Sequence, residues 1–132
     1  MVTDRVGDFI IRLQNAALAG KATVTFPHSS HILEIAKKLK QLGFIAEVGV
    51  KGEGEVKKTI EVTLAFDERG VAKLRGVKRI SKPGRRLYVP AAGAHRVKGG
   101  TGARVISSPK GIVSDSEARK AKVGGEDLFE IW

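Results

Sequence analysis

Residues 69–110 contain twelve basic side chains and no acidic one. This stretch constrains what the folded chain can bind more than any other feature of the sequence. Residues 1–68 contain nine Lys or Arg and nine Asp or Glu, so the formal net charge of +10 resides entirely in the second half. Because like charges repel, a compact domain tolerates such a stretch best when a partner neutralises it. The second half is therefore predicted to bind an anion, with nucleic acid as the leading partner and an anionic membrane as the second.

Length and composition limit the classes of protein to which this chain can belong. A chain of 132 residues is one ordinary domain or two very small ones, and 42% hydrophobic residues suffice for a core. The sequence has no cysteine, which excludes disulfides and thiolate sites. No apolar run approaches the length of about 20 residues that spans a membrane, and no signal-peptide pattern follows Met1. We expect a protein of the cytosol or of an organelle interior, with no membrane partner.

The first half alternates helical and strand patterns. Apolar residues recur at intervals of three and four in two runs, and each run ends at a glycine. The predicted elements are a helix capped by Thr3 and ended by Gly20, a strand at 22–26, a helix from 29 or 30 to Gly43, and a hairpin of strands at 44–50 and 59–66. Residues 1–68 are thus predicted to form an α-β-α-β-β domain with its helices on one side of a small sheet.

The second half combines short strands with glycine turns. Pro83-Gly84 is a strong turn signal, and Ser114 followed by Glu117 is the capping-box pattern of a helix start. The predicted elements are strands at 72–80, 86–89, 104–107, 112–113 and 128–132, and one short helix that ends in Lys120 and Lys122. The predicted fold class is α+β, with the N-terminal α-β-α-β-β unit packed on a basic, mostly-β unit of residues 69–132 with one short helix.

The sequence offers little for catalysis or metal binding. His28 and His31 lie three apart at a helix start, but no third ligand is spaced to join them, which favours a surface pair. Ser107 and Ser108 have no histidine partner nearby in the sequence. The Gly-rich residues 99–102 lack the Lys that a phosphate-binding P-loop needs after its last Gly. We expect no enzymatic activity, no metal and no cofactor.

The segment 86–89 has the alternation of a strand with one face outward. Arg86 and Tyr88 share one face, and Leu87 and Val89 share the other. If the aliphatic pair faces the core, Arg86 faces out to bind phosphate and Tyr88 faces out to stack on a base. A partly buried ring with a hydrogen-bonded hydroxyl is an equal alternative for Tyr88.

A hydroxyl-rich loop follows the strand predicted at 104–107. Ser107 and Ser108 supply short donors and acceptors that reach 2′-OH groups and base edges of RNA. Around this loop, cations that neutralise phosphate are expected at Lys82, Arg85, Lys98 and Lys110. The basic half therefore contains the residue types that an RNA-binding surface needs.

Several motifs resemble those of one known family, in the same order along the chain. Residues 80–88, ISKPGRRLY, resemble the family's RISRPGLRIY turn, and residues 105–111, VISSPKG, resemble its VVSTSKG loop. Residues 115–126 resemble its TDREARK…GVGGE ending, and residues 4–16 resemble its opening, DPIADMLTRIRNA. The chain is thus similar, nearly end to end, to the bacterial-type small-subunit ribosomal protein number eight family.

The resemblance implies a primary binder of small-subunit ribosomal RNA that docks on a stem of the central domain and helps to organise the platform during assembly. It implies contacts with the irregular core of that stem from Ser107, Ser108, Lys110 and Gly111, with Tyr88 and Glu126 nearby. It also implies a second, weaker RNA contact from Arg5, Arg12 and Asn15, which by pattern alone face either water or a partner. The implied partners besides ribosomal RNA are the fifth and twelfth small-subunit proteins and a look-alike site in the protein's own operon mRNA.

Three positions depart from the family motifs. Pro109 replaces a loop hydroxyl, which removes a side-chain donor and a backbone N–H. Gln14 stands where the family has arginine, and Ser30 stands where it has lysine. Two rival functions would use the same basic surface: a free mRNA-binding translational repressor, and an RNA-processing enzyme, against which the missing catalytic constellation argues.

Overall fold

The computed structural model describes residues 4–52, 58–90 and 102–132, and in these ranges the chain forms three helices and eight strands. In chain order they are α1 (Arg5–Ala19), β1 (Thr23–Pro27), α2 (Ser30–Leu42), β2 (Ile45–Lys51), β3 (Thr59–Leu64), β4 (Val77–Arg79), β5 (Tyr88–Val89), β6 (Ala103–Ser108), β7 (Gly111–Ser114), α3 (Asp115–Ala121) and β8 (Gly125–Ile131). The strands form two antiparallel sheets. The predicted α+β class is confirmed.

The chain divides into two compact units. The first unit is Asp8–Arg75, and the second consists of residues 4–7 together with Gly76–Trp132. The first therefore contains most of α1, α2 and β1 to β3, and the second contains β4 to β8 and α3. The domains predicted from the sequence, residues 1–68 and 69–132, remain a prediction, because a domain is a segment that folds by itself.

The first unit is built on a three-stranded sheet in the order β1-β3-β2. β3 is the central strand, and its alternate residues Ile60, Val62 and Leu64 are buried, as the period-two pattern predicted. Phe26 of β1 contacts Phe9 of α1, with ring centroids 4.7 Å apart. The predicted hairpin of β2 and β3 is confirmed.

The starts of α1 and α3 are fixed by side chains that bond to exposed backbone N–H groups. Asp4 accepts a hydrogen bond from the Gly7 N–H through Oδ1 at 2.9 Å, so Asp4 caps α1. Thr3, the predicted cap, lies outside the described residues. At α3 the predicted capping box is confirmed, since the Ser114 hydroxyl accepts the Glu117 N–H and the Glu117 carboxylate accepts the Ser114 N–H, each at 3.2 Å.

The second unit is organised around β8, the central strand of its sheet. β6 pairs with one edge of β8, while β4 and β5 share the other edge, and β7 pairs with β6. α3 covers one face of this sheet, where Ala118 and Ile106 form a small core with Val89, Val113 and Val123.

The strand predicted at 72–80 is confirmed only at β4. Ala72 forms a single bridge with Phe66 of the first unit. In the second unit, Gly76 and Trp132 exchange two backbone hydrogen bonds of 3.0 Å each. The indole ring occupies the space of a side chain at Gly76, because a Cβ there would lie 2.7 Å from the ring atoms Cε2 and Cζ2. Gly76 therefore permits a close contact with the indole ring that a residue with a side chain would not.

Candidate nucleic-acid interface

Three of the predicted site residues lie side by side on the sheet of the second unit. Glu126 of β8 is paired with Tyr88 of β5 on one side and with Ser107 of β6 on the other. Directly paired residues point to the same face of a sheet, and neighbouring strands are about 4.8 Å apart, so these residues span about 10 Å. Ile106, the neighbour of Ser107, packs under α3 on the opposite face. We call Tyr88, Glu126 and Ser107 the Glu126 row.

The turn between β6 and β7 lies at the end of this row. Ser108 is paired with Gly111, so Pro109 and Lys110 form the turn. The Ser108 hydroxyl donates to the Gly111 carbonyl oxygen at 2.8 Å and accepts from the Lys110 N–H at 3.2 Å. Gly111 has a φ of +111°, which a residue with a side chain rarely adopts. The Ser108 hydroxyl therefore shapes the turn, while the Lys110 side chain extends into solvent.

Ser107 differs from its neighbour in having an available hydroxyl. Its side chain is half-buried, and its hydroxyl forms no hydrogen bond with any residue in the described ranges. The neighbouring strand β8 approaches Ser107 very closely. A Cβ on Gly125 of β8 would collide with the Ser107 carbonyl oxygen and lie 2.9 Å from the Ser108 Cα. Gly125 thus sets the distance between β8 and the end of β6.

Tyr88 and Arg86 face solvent, as the alternation predicted, but Leu87 does not face the core. Tyr88 is 69% exposed and Leu87 is 37% exposed, whereas Val89 packs against the small core of Ile106 and Ala118. The expectation for Leu87 was wrong because β5 contains only Tyr88 and Val89, so the alternation of a strand does not extend back to residue 87.

The Glu126 carboxylate is held by two donors. Its Oε2 accepts from the Ser81 hydroxyl at 2.6 Å and from the Arg86 guanidinium at 2.8 Å. Burial alone would raise the pKa of Glu126, but hydrogen bonds from Ser81 and Arg86, with the positive charge of Arg86, hold that pKa below its usual value. The hydrogen bond to Glu126 and the negative charge of that carboxylate raise the pKa of Arg86. Ser81 was not predicted as a site residue, although it lies within residues 80–88, which resemble a family motif.

Lys82 and Arg85 lie at the predicted turn. The two residues exchange backbone hydrogen bonds of 3.0 and 2.9 Å across Pro83-Gly84, which confirms the turn. Both side chains are exposed, and neither forms an ion pair within the part of the chain that the structure describes. They are therefore available to an anion. Lys98, another predicted cation, lies outside the described residues.

An enclosed network around Arg104 was also missed by sequence reasoning. The Arg104 guanidinium pairs with Asp127 at 3.3 Å and with Glu130 at 2.6 Å. The Arg104 N–H donates to Asp115, which also pairs with Arg119 at 2.9 Å. Burial raises the pKa of Asp127, even though Arg104 opposes that effect. These contacts link β6, β8 and α3, so their acids contribute to the structure of the sheet that presents the Glu126 row.

The predicted N-terminal contacts are only partly brought together. Arg12 and Asn15 line an open groove of about 430 Å³ with Lys21, between α1 and β1 in the first unit. Arg12 is also paired with Asp8 at 3.2 Å, so part of its charge is already compensated. Arg5 is exposed and forms no ion pair with another described residue.

Among residues 4–52, 58–90 and 102–132, no group of three or more His, Cys, Asp or Glu side chains is arranged to hold a metal ion. Within the same ranges, no helix is both long and apolar enough to cross a membrane. His28 and His31 lie before and within the first turn of α2, where His31 is exposed.

Comparison with known proteins gives one consistent similarity. The family model described as Ribosomal protein S8 matches residues 4–132. The chain is 42% identical over 131 residues to the small ribosomal subunit protein uS8 of Chloroflexus aggregans, covering 99% of this chain and 98% of that protein. It is 37% identical over 132 residues to uS8 of Helicobacter acinonychis, covering 100% of both. The similarity therefore includes both compact units, the Glu126 row and the turn between β6 and β7.

Proposed function

Since this chain belongs to the ribosomal protein S8 family, we propose that it is a non-catalytic structural constituent of the small ribosomal subunit that binds ribosomal RNA through the Glu126 row and the β6–β7 turn. The proposed RNA is a stem in the central domain of the small-subunit RNA, and binding would help to assemble the platform. The proposed location is the ribosome of the cytoplasm, or of an organelle interior if the protein is organellar.

The observation that best supports this proposal is the Glu126 row itself. It combines an exposed aromatic ring, a carboxylate paired with an arginine, and a hydroxyl without a partner among the described residues. The ring can stack on a base, Arg86 beside the carboxylate can bind phosphate, and the hydroxyl can recognise a 2′-OH group. Tyr88, Glu126 and Ser107 lie on the face that α3 does not cover. A rigid sheet holds them at fixed distances, which a recognition surface requires.

The proposed contacts divide into recognition and neutralisation. We assign recognition to the turn and the row, through Ser107, Ser108, Gly111, Tyr88 and Arg86, with Glu126 between them. We assign phosphate neutralisation to the exposed cations near them, Lys82, Arg85 and Lys110, and to Lys98. Arg5, Arg12 and Asn15 would form the second, weaker contact, with Lys21 in the groove beside α1.

The proposed macromolecular partners extend beyond the RNA stem. The fifth and twelfth proteins of the small subunit are proposed neighbours in the assembled particle. A similar site in the protein's own operon mRNA is a proposed second RNA, and binding there would make the protein a translational repressor as well as a ribosomal component. No membrane partner is proposed.

The direct test compares two RNAs of equal length. At physiological salt, the purified protein should bind a central-domain fragment at least about 100-fold more tightly than an unrelated hairpin, because the hairpin offers only its phosphates. Ser107→Ala should weaken binding of the fragment by about 1 kcal/mol, since a hydroxyl contact is lost. Ser116→Ala, on the exposed surface of α3, is the matched control and should change nothing. Equal affinity of the wild-type protein for the two RNAs would refute the proposal.

A further inference from the structure

Ser81 is fully buried, and its hydroxyl joins two segments of the second unit. The hydroxyl donates to Glu126 Oε2 at 2.6 Å and accepts from the Leu87 N–H at 3.1 Å. The Ser81 N–H donates to the Asp127 carbonyl oxygen at 2.9 Å. One small side chain therefore ties β8 to the segment that enters β5. Such a buried hydroxyl is costly to remove, because both of its partners would lose a partly buried hydrogen bond.

Arg86 is held by the same carboxylate oxygen but remains half-exposed. Its Nη1 donates to Glu126 Oε2 at 2.8 Å, while 49% of its side chain is accessible to solvent. A guanidinium has five N–H donors in a fixed plane, and the contact with Glu126 uses only one nitrogen. The pairing therefore fixes the direction of the guanidinium and leaves most of its donors available for a second acceptor.

We infer that Ser81 and Glu126 are positioning residues, which hold Arg86 so that its remaining N–H groups meet an RNA phosphate beside the Glu126 row. This inference rests on the proposed function. Glu126 acts through Arg86 rather than by attracting RNA, because a carboxylate repels phosphate. The negative charge of Glu126 also weakens the attraction of Arg86 for any phosphate that does not lie in the direction of its free N–H groups. The hydrogen bonds that connect Ser81, Glu126 and Arg86 therefore lower the affinity for RNA in general and raise the selectivity for one RNA geometry.

The decisive variant is Glu126→Gln, which keeps an acceptor for Ser81 but removes the charge that holds Arg86. For an unrelated hairpin, affinity should rise, and the plot of log affinity against log salt should steepen by up to about one, because Arg86 is released to pair with any phosphate. For the central-domain fragment, affinity should fall about fivefold, since the directed contact is lost. The ratio of the two affinities should thus fall by more than either affinity changes alone.

The matched control is Glu130→Gln, which makes the same change of charge on the same strand. Glu130 pairs with Arg104 and not with Arg86, so this variant should alter both RNAs in parallel and leave the ratio unchanged. If Glu126→Gln also altered both RNAs in parallel, Glu126 would act through its charge alone and the inference would be wrong. If the wild-type protein failed to discriminate the two RNAs, the proposed function would fail instead.

The place of Ser81 is tested by a double-variant cycle. Ser81→Ala should reduce the affinity for the central-domain fragment about fivefold, and the double variant with Glu126→Gln should be no weaker than Glu126→Gln alone. If the two losses of affinity were additive, Ser81 would not act through Glu126. Thermal unfolding of each variant checks the fold. If Ser81→Ala does not fold, the variant Arg86→Lys is tested in its place, because lysine keeps the positive charge but lacks the planar set of N–H donors of a guanidinium. An unchanged affinity ratio in Arg86→Lys would overturn the inference.

Discussion

The acidic side chains of the ion pairs in the first unit are mostly exposed to solvent, whereas most of those in the second unit are largely enclosed and pair with arginines. Lys40 and Glu47 form a pair whose side chains are 47% and 73% exposed. In contrast, Asp127 and Glu130 are 5% and 18% exposed, and both pair with Arg104. The first kind of pair is screened by water and salt and contributes little, but the second cannot lose a partner without leaving a buried charge.

This difference explains how the second unit presents a positive surface although it contains acids. Its enclosed acids take arginines as partners, so their negative charge is compensated beneath the surface. The exposed lysines of the unit form no ion pair with any residue that the structure describes; they are Lys78, Lys82, Lys110, Lys120 and Lys122. Enclosed arginines such as Arg104 thus contribute mainly to structure, whereas the exposed lysines contribute mainly to the external field.

The largest effect should come from removing the shared arginine. Arg104→Met should lower the free energy of unfolding by about 3–5 kcal/mol, because Asp127 and Glu130 would remain buried without their cation. Lys51→Met, which breaks the exposed pair with Glu61, is the matched control and should cost less than about 1 kcal/mol. Urea unfolding followed by circular dichroism measures both. Equal losses would remove the distinction between the two units.

A second comparison uses one glycine from each sheet. Gly125→Ala should cost about 1–3 kcal/mol, because its Cβ would collide with the Ser107 carbonyl oxygen and force β8 and β6 apart. Gly49→Ala in β2 should be neutral or slightly stabilising, since no atom lies within 4 Å of the added carbon. The same unfolding measurement applies. A tolerated Gly125→Ala with unchanged RNA binding would show that the close approach is not needed.

A third comparison uses one lysine from each unit. Lys110→Ala should weaken binding to every RNA and reduce the salt dependence of log affinity by about one, because one phosphate contact is lost. Lys40→Ala should leave the salt dependence unchanged, since Lys40 is already paired with Glu47. Filter binding over a range of salt concentrations tests this. A selective loss for one RNA in Lys110→Ala would instead make Lys110 a recognition residue.

The smallest effect is the dependence of stability on pH, which has opposite signs at the adjacent residues Glu126 and Asp127. The pKa of Glu126 is lowered, so its contribution to stability is present above the pKa of the unfolded chain and is lost as pH falls through the folded value. The pKa of Asp127 is raised, so its charged form costs stability, and that cost is relieved as pH falls through its folded value. Carboxyl ¹³C shifts followed against pH should show Glu126 titrating below Asp127. The reverse order would contradict this account of the two sites.

Structure that depends on neighbours in the sequence was predictable. The capping box joins Ser114 and Glu117, three residues apart, and Gly43 ends α2 in the left-handed conformation that glycine favours. The β2–β3 hairpin follows from two period-two patterns, although five residues of its predicted connection lie outside the described ranges. In each case the signal and the structure lie within a few residues of each other.

Contacts across the sheet were not predictable in the same way. Ser81 and Glu126 are 45 positions apart, and Arg79 pairs with Asp4 over 75 positions. Periodicity gives the face of a residue but not its partner on another strand. The residue types of the candidate site were therefore found from charge, hydroxyls and resemblance. The engagement of the Ser108 hydroxyl within its own turn, and the exposure of Leu87, required the structure.

The contact of Trp132 with Gly76 has a practical consequence. Trp132 is the single tryptophan of the chain, so its indole fluorescence arises wholly from the second unit. Circular dichroism, in contrast, reports the helices of both. If the two signals change at different urea concentrations, the units unfold separately; if they coincide, the chain unfolds as one cooperative whole. The emission spectrum is thus an intrinsic reporter on the unit to which we assign RNA recognition.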